Sequence, residues 1–191
     1  MSWTTGTQTE ALSVSAANGS ALANSTTPTL ISPAGASAYL PANFFLPTYG
    51  TAKGLLVKAF GVLSTTSTPN LTLEVLANTT QGTRNSSGIL ATTGTLAQGS
   101  AVSNVPWELE VLISCSATGS SGTFLAEGMW KIYNTATTIN TARCSSSAAN
   151  PNTALTLSTQ SAYYLELFGT WGSASSSDTI TCYGYTVLGL N

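Results

Sequence analysis

A chain of 191 residues, 42% of them hydrophobic, is long enough for one sizeable β domain or two small ones and too apolar to be disordered. Only 6% of residues are charged and the net charge is −2, so nothing steers the protein towards nucleic acid, and five basic residues cannot neutralise a phosphate track. The surface must then be hydroxyls, amides and small side chains, which protect a free monomer poorly from self-association and favour a working state inside an assembly.

Residues 1–27 are small and polar, with one weak strand at Glu10–Ala16, and read as an extended N-terminal arm. The first five residues have neither a basic stretch nor an apolar one, so no secretory signal is expected, and no apolar run is long enough to span a membrane. Residues 28–191 read as a single β-sandwich domain. Pro28, Pro33, Pro41 and Pro47 punctuate short segments at its start, as expected of edges and turns. Gly54–Leu63 is a strong strand, apolar on both faces except at Lys58, and is expected to be covered on both sides. Asn70–Ala77 follows after a Ser/Thr/Pro turn and is expected to be its antiparallel partner. Asn78–Gly88 reads as a long exposed loop and Ile89–Leu96 as a weaker strand.

Val102–Ser114 organises the chain. Trp107, Leu109, Val111 and Ile113 share one face, and Glu108, Glu110 and Leu112 the other, the period of a half-buried strand. Its core Leu109-Glu110-Val111 recurs as Leu73-Glu74-Val75 and Leu165-Glu166-Leu167, so three strands share one design with a glutamate pointing outward. A Gly/Ser turn leads to a returning strand over Thr123–Asn134, where Gly128 implies a bulge or a close backbone approach. Asn140–Thr153 reads as a second polar loop holding Cys144, Ala154–Leu157 and Ala162–Trp171 as strands, and Thr179–Leu190 as the last strand, with a bulge expected at Gly184. No helical pattern of useful length occurs. The expected fold is an all-β, jelly-roll-like antiparallel β-sandwich of about eight strands carrying the arm.

The residues offer little chemistry. Histidine is absent, which removes the Ser-His-Asp and Cys-His nucleophile designs and the commonest zinc ligand. Cys115, Cys144 and Cys182 have no paired spacing, an odd count does not make a disulfide framework, and three free thiols are expected. Gly94–Ser100 has the glycine spacing of a phosphate loop but a serine in place of the lysine. Asp178 is the only aspartate, and no calcium loop is present. Glu108 and Glu110 stand about 7 Å apart on one strand face, a spacing that inverting glycosidases use but that any such neighbours share, so a solvated or interface-facing pair is the better reading. Trp107, Trp130 and Trp171 alternate with aliphatic residues and belong to the core rather than to a sugar-stacking platform. Tyr183 and Tyr185 face away from Ile180 and Cys182 and are the candidates for an interface or ligand surface. No catalytic, cofactor-binding or metal-binding residue is assigned, no cofactor is expected, and the protein is not expected to be an enzyme.

The C-terminal two-thirds resembles small virion structural proteins of tailed bacteriophages. The likeness lies in the Gly54–Leu63 strand, the Pro106-Trp107 strand, the Gly128 return strand, the run Trp171-Gly172-Ser173-Ala174-Ser175-Ser176-Ser177-Asp178-Thr179-Ile180-Thr181-Cys182 and the end Val187-Leu188-Gly189-Leu190. The resemblance implies a jelly-roll capsid decoration or tail-associated subunit, usually trimeric, assembled in the host cytoplasm and residing in the virion. The partners it implies are other copies of the chain and the major capsid or tail proteins of the same particle, without nucleic acid or membrane. A tail-tip or fibre domain binding a host-surface glycan, or a carbohydrate-binding module, remains the alternative. The arm is expected to order on contact with a neighbour, so a chain starting at Pro28 should still fold.

Overall fold

The computed structural model of the chain describes residues 9–46, 53–133, 138–150 and 153–190. Residues 1–8 of the arm, Pro47 and the last residue of the expected return strand, Asn134, lie outside them. The described residues form fourteen strands and a single 3-10 turn, Ser86–Gly88: β1 Thr9–Ser15, β2 Leu22–Ala23, β3 Thr29–Leu30, β4 Ala38–Leu40, β5 Gly54–Thr65, β6 Asn70–Asn78, β7 Ile89–Thr92, β8 Leu96–Ala97, β9 Val102–Ala117, β10 Gly122–Tyr133, β11 Ile139–Ser145, β12 Leu155–Leu157, β13 Tyr163–Trp171 and β14 Thr179–Leu190. All pairings are antiparallel, in the order β1-β14-β5-β9-β10-β11-β7-β6-β13-β3. A single bridge, Ser145 to Thr92, links β11 to β7, and there the sheet folds over on itself. The result is a jelly-roll-like β-sandwich with a larger layer of β1, β14, β5, β9, β10 and β11 facing a smaller one of β7, β6, β13 and β3. The order has ten positions because the N-terminal segment and β11 both join the larger layer.

The core lies between the layers, and period-two alternation fills it. Leu109, Leu73 and Leu165 of the three repeated triplets are all buried in it, as are Trp107, Trp130 and Trp171. Trp107 donates through Nε1 to the Val62 carbonyl at 3.1 Å, and Trp171 to the Leu22 carbonyl at 3.1 Å, so both large rings enter the apolar interior with their polar atom satisfied. At Gly128 the register of β10 against β9 runs unbroken. The reason for glycine is close approach, since a Cβ there would overlap the Glu110 carbonyl oxygen.

Four expectations about individual strands are corrected. β6 (Asn70–Asn78) pairs with β13, β7 and β8 and not with β5, whose neighbours are β14 and β9. Residues 139–145 are a strand, not a loop. Cys144 on β11 is buried although its neighbours are polar, because β10 pairs with it over seven residues. On β14 the bulge falls between Cys182 and Gly184 and inverts the alternation. Ile180 and Cys182 point inward before it, and Tyr185 and Val187 after it, so Tyr185 is wholly buried rather than on the surface. β5 is covered on one face only. Leu55, Val57, Ala59 and Leu63 are buried, whereas Lys58 and Phe60 are exposed on the other side.

The arm-like segment lies along the body. β1 pairs with residues 185–190 of β14, the Gly19 amide donates to the Cys182 carbonyl at 2.7 Å, and β2 pairs with Thr179 and Ile180. Residues 9–23 thus make one interrupted edge strand along the whole of β14. Leu22 of this segment enters the core.

Candidate functional site

The two layers treat their outer faces differently. On the smaller layer, Glu74, Leu76 and Asn78 of β6 and Glu166 and Phe168 of β13 point outward yet are buried. Two segments roof them. Glu166 accepts hydrogen bonds from Ser37 Oγ at 2.6 Å, Asn78 Nδ2 at 2.8 Å and the Gly82 amide at 2.9 Å. Arg84 grips Glu74 with two bonds, Nε at 2.7 Å and Nη2 at 2.8 Å, and this pairing raises the guanidinium pKa. The 79–88 loop is therefore strapped onto the sheet by the two outward glutamates of the Leu-Glu-Val and Leu-Glu-Leu triplets, rather than standing out in solvent. A bidentate carboxylate–guanidinium pair of this kind is geometrically specific.

Among the described residues the larger layer has no such roof. Register places Val14, Lys58, Glu110, Met129 and Arg143 in one row across β1, β14, β5, β9, β10 and β11, with Thr186 of β14 among them. Flanking rows hold Leu56, Leu112 and Glu127 on one side and Phe60, Glu108 and Lys131 on the other. Eight large apolar side chains are exposed among the described residues, and six of them (Val14, Phe60, Leu112, Leu125, Met129 and Ile139) lie on this face. Val14 is 70% and Phe60 53% exposed, and contiguous apolar patches of this kind mark interaction sites.

Six of the chain's twelve charged residues stand on the same face, and all are paired within it. Lys58 meets Glu110 at 2.7 Å and Lys131 meets Glu108 at 2.5 Å, while Arg143 pairs with Glu127. The Lys131 hydrogen bond holds the Glu108 carboxyl below its usual range, against the opposing effect of partial burial, and a Tyr133 hydrogen bond adds to it. Glu108 in turn raises Lys131 and Tyr133, each through its own hydrogen bond to the carboxylate. Glu108 and Glu110 are thus each engaged with a different lysine, the arrangement of a neutralised surface.

Elsewhere the chemistry is sparse. A cleft of about 100 Å³ is lined by Leu96, Gln98, Trp130, Ile132, Asn140 and Ala142. It is well below the 300–1,000 Å³ or so of typical small-molecule sites. Among the described residues no group of three His, Cys, Asp or Glu side chains is placed to hold a metal ion, and no helix is long and apolar enough to cross a membrane. Exposed Tyr39 and half-buried Tyr164 make an aromatic pair on the smaller layer, with ring centroids 5.4 Å apart.

The three thiols are free and buried. Burial pushes Cys144 and Cys182 up from 9.0 to about 12, and raises Cys115 as well. Thiol reagents at pH 8 are expected to leave Cys144 and Cys182 untouched until the chain is denatured, since only the thiolate reacts. The linkage follows. Between pH 9 and 12 the unfolded chain loses these protons while the folded one keeps them, so stability falls as pH rises through that window. Unfolding followed from neutral to alkaline pH checks this, and a midpoint insensitive to pH above 9 would contradict it.

No family model matches the chain, and no curated protein matches it. Among solved structures, the seed lectin of Lotus tetragonolobus is similar with a TM-score of 0.42 at 9% identity, covering 86% of this chain and 79% of the lectin.

Sequence reasoning placed Glu108 and Glu110 on an outward face but missed most of their surroundings. β11 supplies Ile139 and Arg143 to that face, and it reads as a loop because its inward positions Asn140, Ala142 and Cys144 are small or polar. The available signal was the alternation Ile139, Thr141, Arg143, continuing the pattern of β10.

Proposed function

We propose that this protein is a non-catalytic structural subunit of a bacteriophage virion, a decoration protein bound to the outside of the head. The observation that carries the reading is the bare outer face of the larger layer, apolar and internally charge-neutral, on a molecule that roofs its other sheet. Such a face is suited to being covered, because apolar contact supplies the affinity and its charges need no new partners. The likeness of the Gly54–Leu63, Pro106-Trp107 and C-terminal stretches to small phage virion proteins supplies the particle. Self-association and contact with the major capsid protein are the partnerships this role requires. Because the charges on the face are already paired, whatever covers it should be held with only a weak dependence on salt.

A second reading, a tail-tip or carbohydrate-binding domain, has one observation in its favour, the pair of exposed Tyr39 and half-buried Tyr164, since aromatic faces stack on sugar rings. Imaging purified particles that carry a labelled copy of the protein tests both readings. Label distributed over the head shell is the expected result. Label confined to the tail tip would select the second reading, and absence from particles would remove the first.

A further inference from the structure

We infer that the bare face of the larger layer is the contact surface for a second copy of this chain, the two sheets packing face to face about a two-fold axis. The inference rests on the reading of the protein as an assembly subunit and names the partner for that surface.

Size comes first. The face is six strands wide, about 25 Å at normal strand spacing, and β5, β10 and β14 are each 12 residues long, about 40 Å. It therefore offers about 1,000 Å² per copy, against the roughly 800 Å² per partner of a standard stable interface. Two antiparallel sheets packed on one another align within about 30°, an arrangement that needs no change in either.

Charge layout selects the partner. Lys58 on β5 stands in register beside Glu110 on β9, and Leu56 beside Leu112. A two-fold axis running along the strands midway between β5 and β9 exchanges those strands between the copies. It sets Lys58 of one copy opposite Glu110 of the other, and Leu56 opposite Leu112. Phe60 then faces Glu108, whose charge Lys131 neutralises. The face is thus complementary to itself, as an isologous interface must be. A partner of net charge would find nothing to match, since the three acidic and three basic side chains of the face cancel. A self-complementary face closes with two copies, not with the three that the resemblance to phage proteins implies.

Charge reversal tests this with the full chain. Sedimentation should find the wild type as a dimer at micromolar concentration. Lys58→Glu and Glu110→Lys, with unchanged circular dichroism, should each weaken the dimer by about 100-fold or more, since like charges then meet across the axis. Mixing the two variants one to one should restore a dimer. In the mixed pair every cross-axis contact is again opposite in sign, although each chain still carries its internal repulsion. A purely intrachain role for the ion pair could not give that rescue. Phe60→Asp, at an exposed position on the same face, should also yield a folded monomer and covers the case in which a reversal variant fails to fold.

A wild-type monomer or trimer, reversal variants that remain dimers, or folded variants whose mixture stays monomeric would each overturn the pair. A wild-type monomer that still joins virions, and loses that ability with Phe60→Asp, would overturn the pair while leaving the decoration role standing, with the capsid as the occupant of the face. A dimer that never joins virions would leave the pair and remove the role.

Discussion

Trp107→Ala is expected to lower the unfolding free energy by about 3–5 kcal/mol, the range for truncating a large buried aromatic side chain. Trp107 is 1% exposed at the middle of the core. On one neighbouring strand it stands opposite Gly61 and on the other opposite Ile132. Gly61 cannot gain a side chain to fill the space, because a Cβ there would overlap the Thr181 carbonyl oxygen. The cavity left by the indole would therefore persist rather than collapse. The substitution also strands the Val62 carbonyl, which loses its Nε1 donor. Against a total stability of about 5–15 kcal/mol this is a large fraction. Chemical denaturation of the wild type, Trp107→Ala and Trp107→Phe checks it. The phenylalanine variant should lose less than half as much, because it keeps most of the volume and forfeits mainly the hydrogen bond. Equal midpoints for wild type and the alanine variant would show that the ring is not part of the core.

The sandwich was legible in the sequence where local alternation decides the outcome. Leu109, Leu73 and Leu165 alternate with polar neighbours, and strands pair them into one core as that alternation requires. What was not legible depends on residues distant in the chain. Tyr185 turned inward because one bulge, between Cys182 and Gly184, shifts the strand by a residue and so exchanges its faces. The apolar second face of β5 reads as covered, yet Leu56 and Phe60 are matched across β9 by Leu112 and Glu108, and this outer surface is left bare. Glu74, Glu110 and Glu166 occupy equivalent places in three similar triplets but meet three fates. Arg84 and Gly82 arrive over two of them from a loop, while Glu110 receives Lys58 from the adjacent strand. The candidate face itself emerges only from register across six strands, a property that no single stretch of sequence carries.

Removing residues 1–27 is expected to abolish the native fold, contrary to what the polar composition of that segment implies. Its described part, residues 9–27, closes the seam between the two layers on the side away from the β11–β7 fold. Leu22 is 3% exposed and fills the space that Gly169 leaves by lacking a side chain, with its Cδ2 about 3.0 Å from where a Cβ would stand. Its carbonyl is the acceptor for Trp171 Nε1, and the Asn24 amide donates to Ser175 at 2.9 Å. Ser13 Oγ reaches the Ala36 carbonyl at 2.7 Å and ties β1 to the segment before β4. Without residues 1–27, β14 becomes an unprotected edge twelve residues long, a template for aggregation in a chain with few charges to prevent it. Trp171 would lose its hydrogen-bond partner, and its ring would come to the surface. A chain starting at Pro28 should accordingly be recovered in aggregates, or as a species with a red-shifted tryptophan emission and no cooperative unfolding transition. Adding a synthetic peptide of residues 9–27 should restore part of the soluble folded form, because that segment binds as an edge strand. A soluble, cooperatively unfolding truncated chain would show that the β14 edge and the core hold together unaided, and would return the N-terminal segment to the role of a dispensable arm.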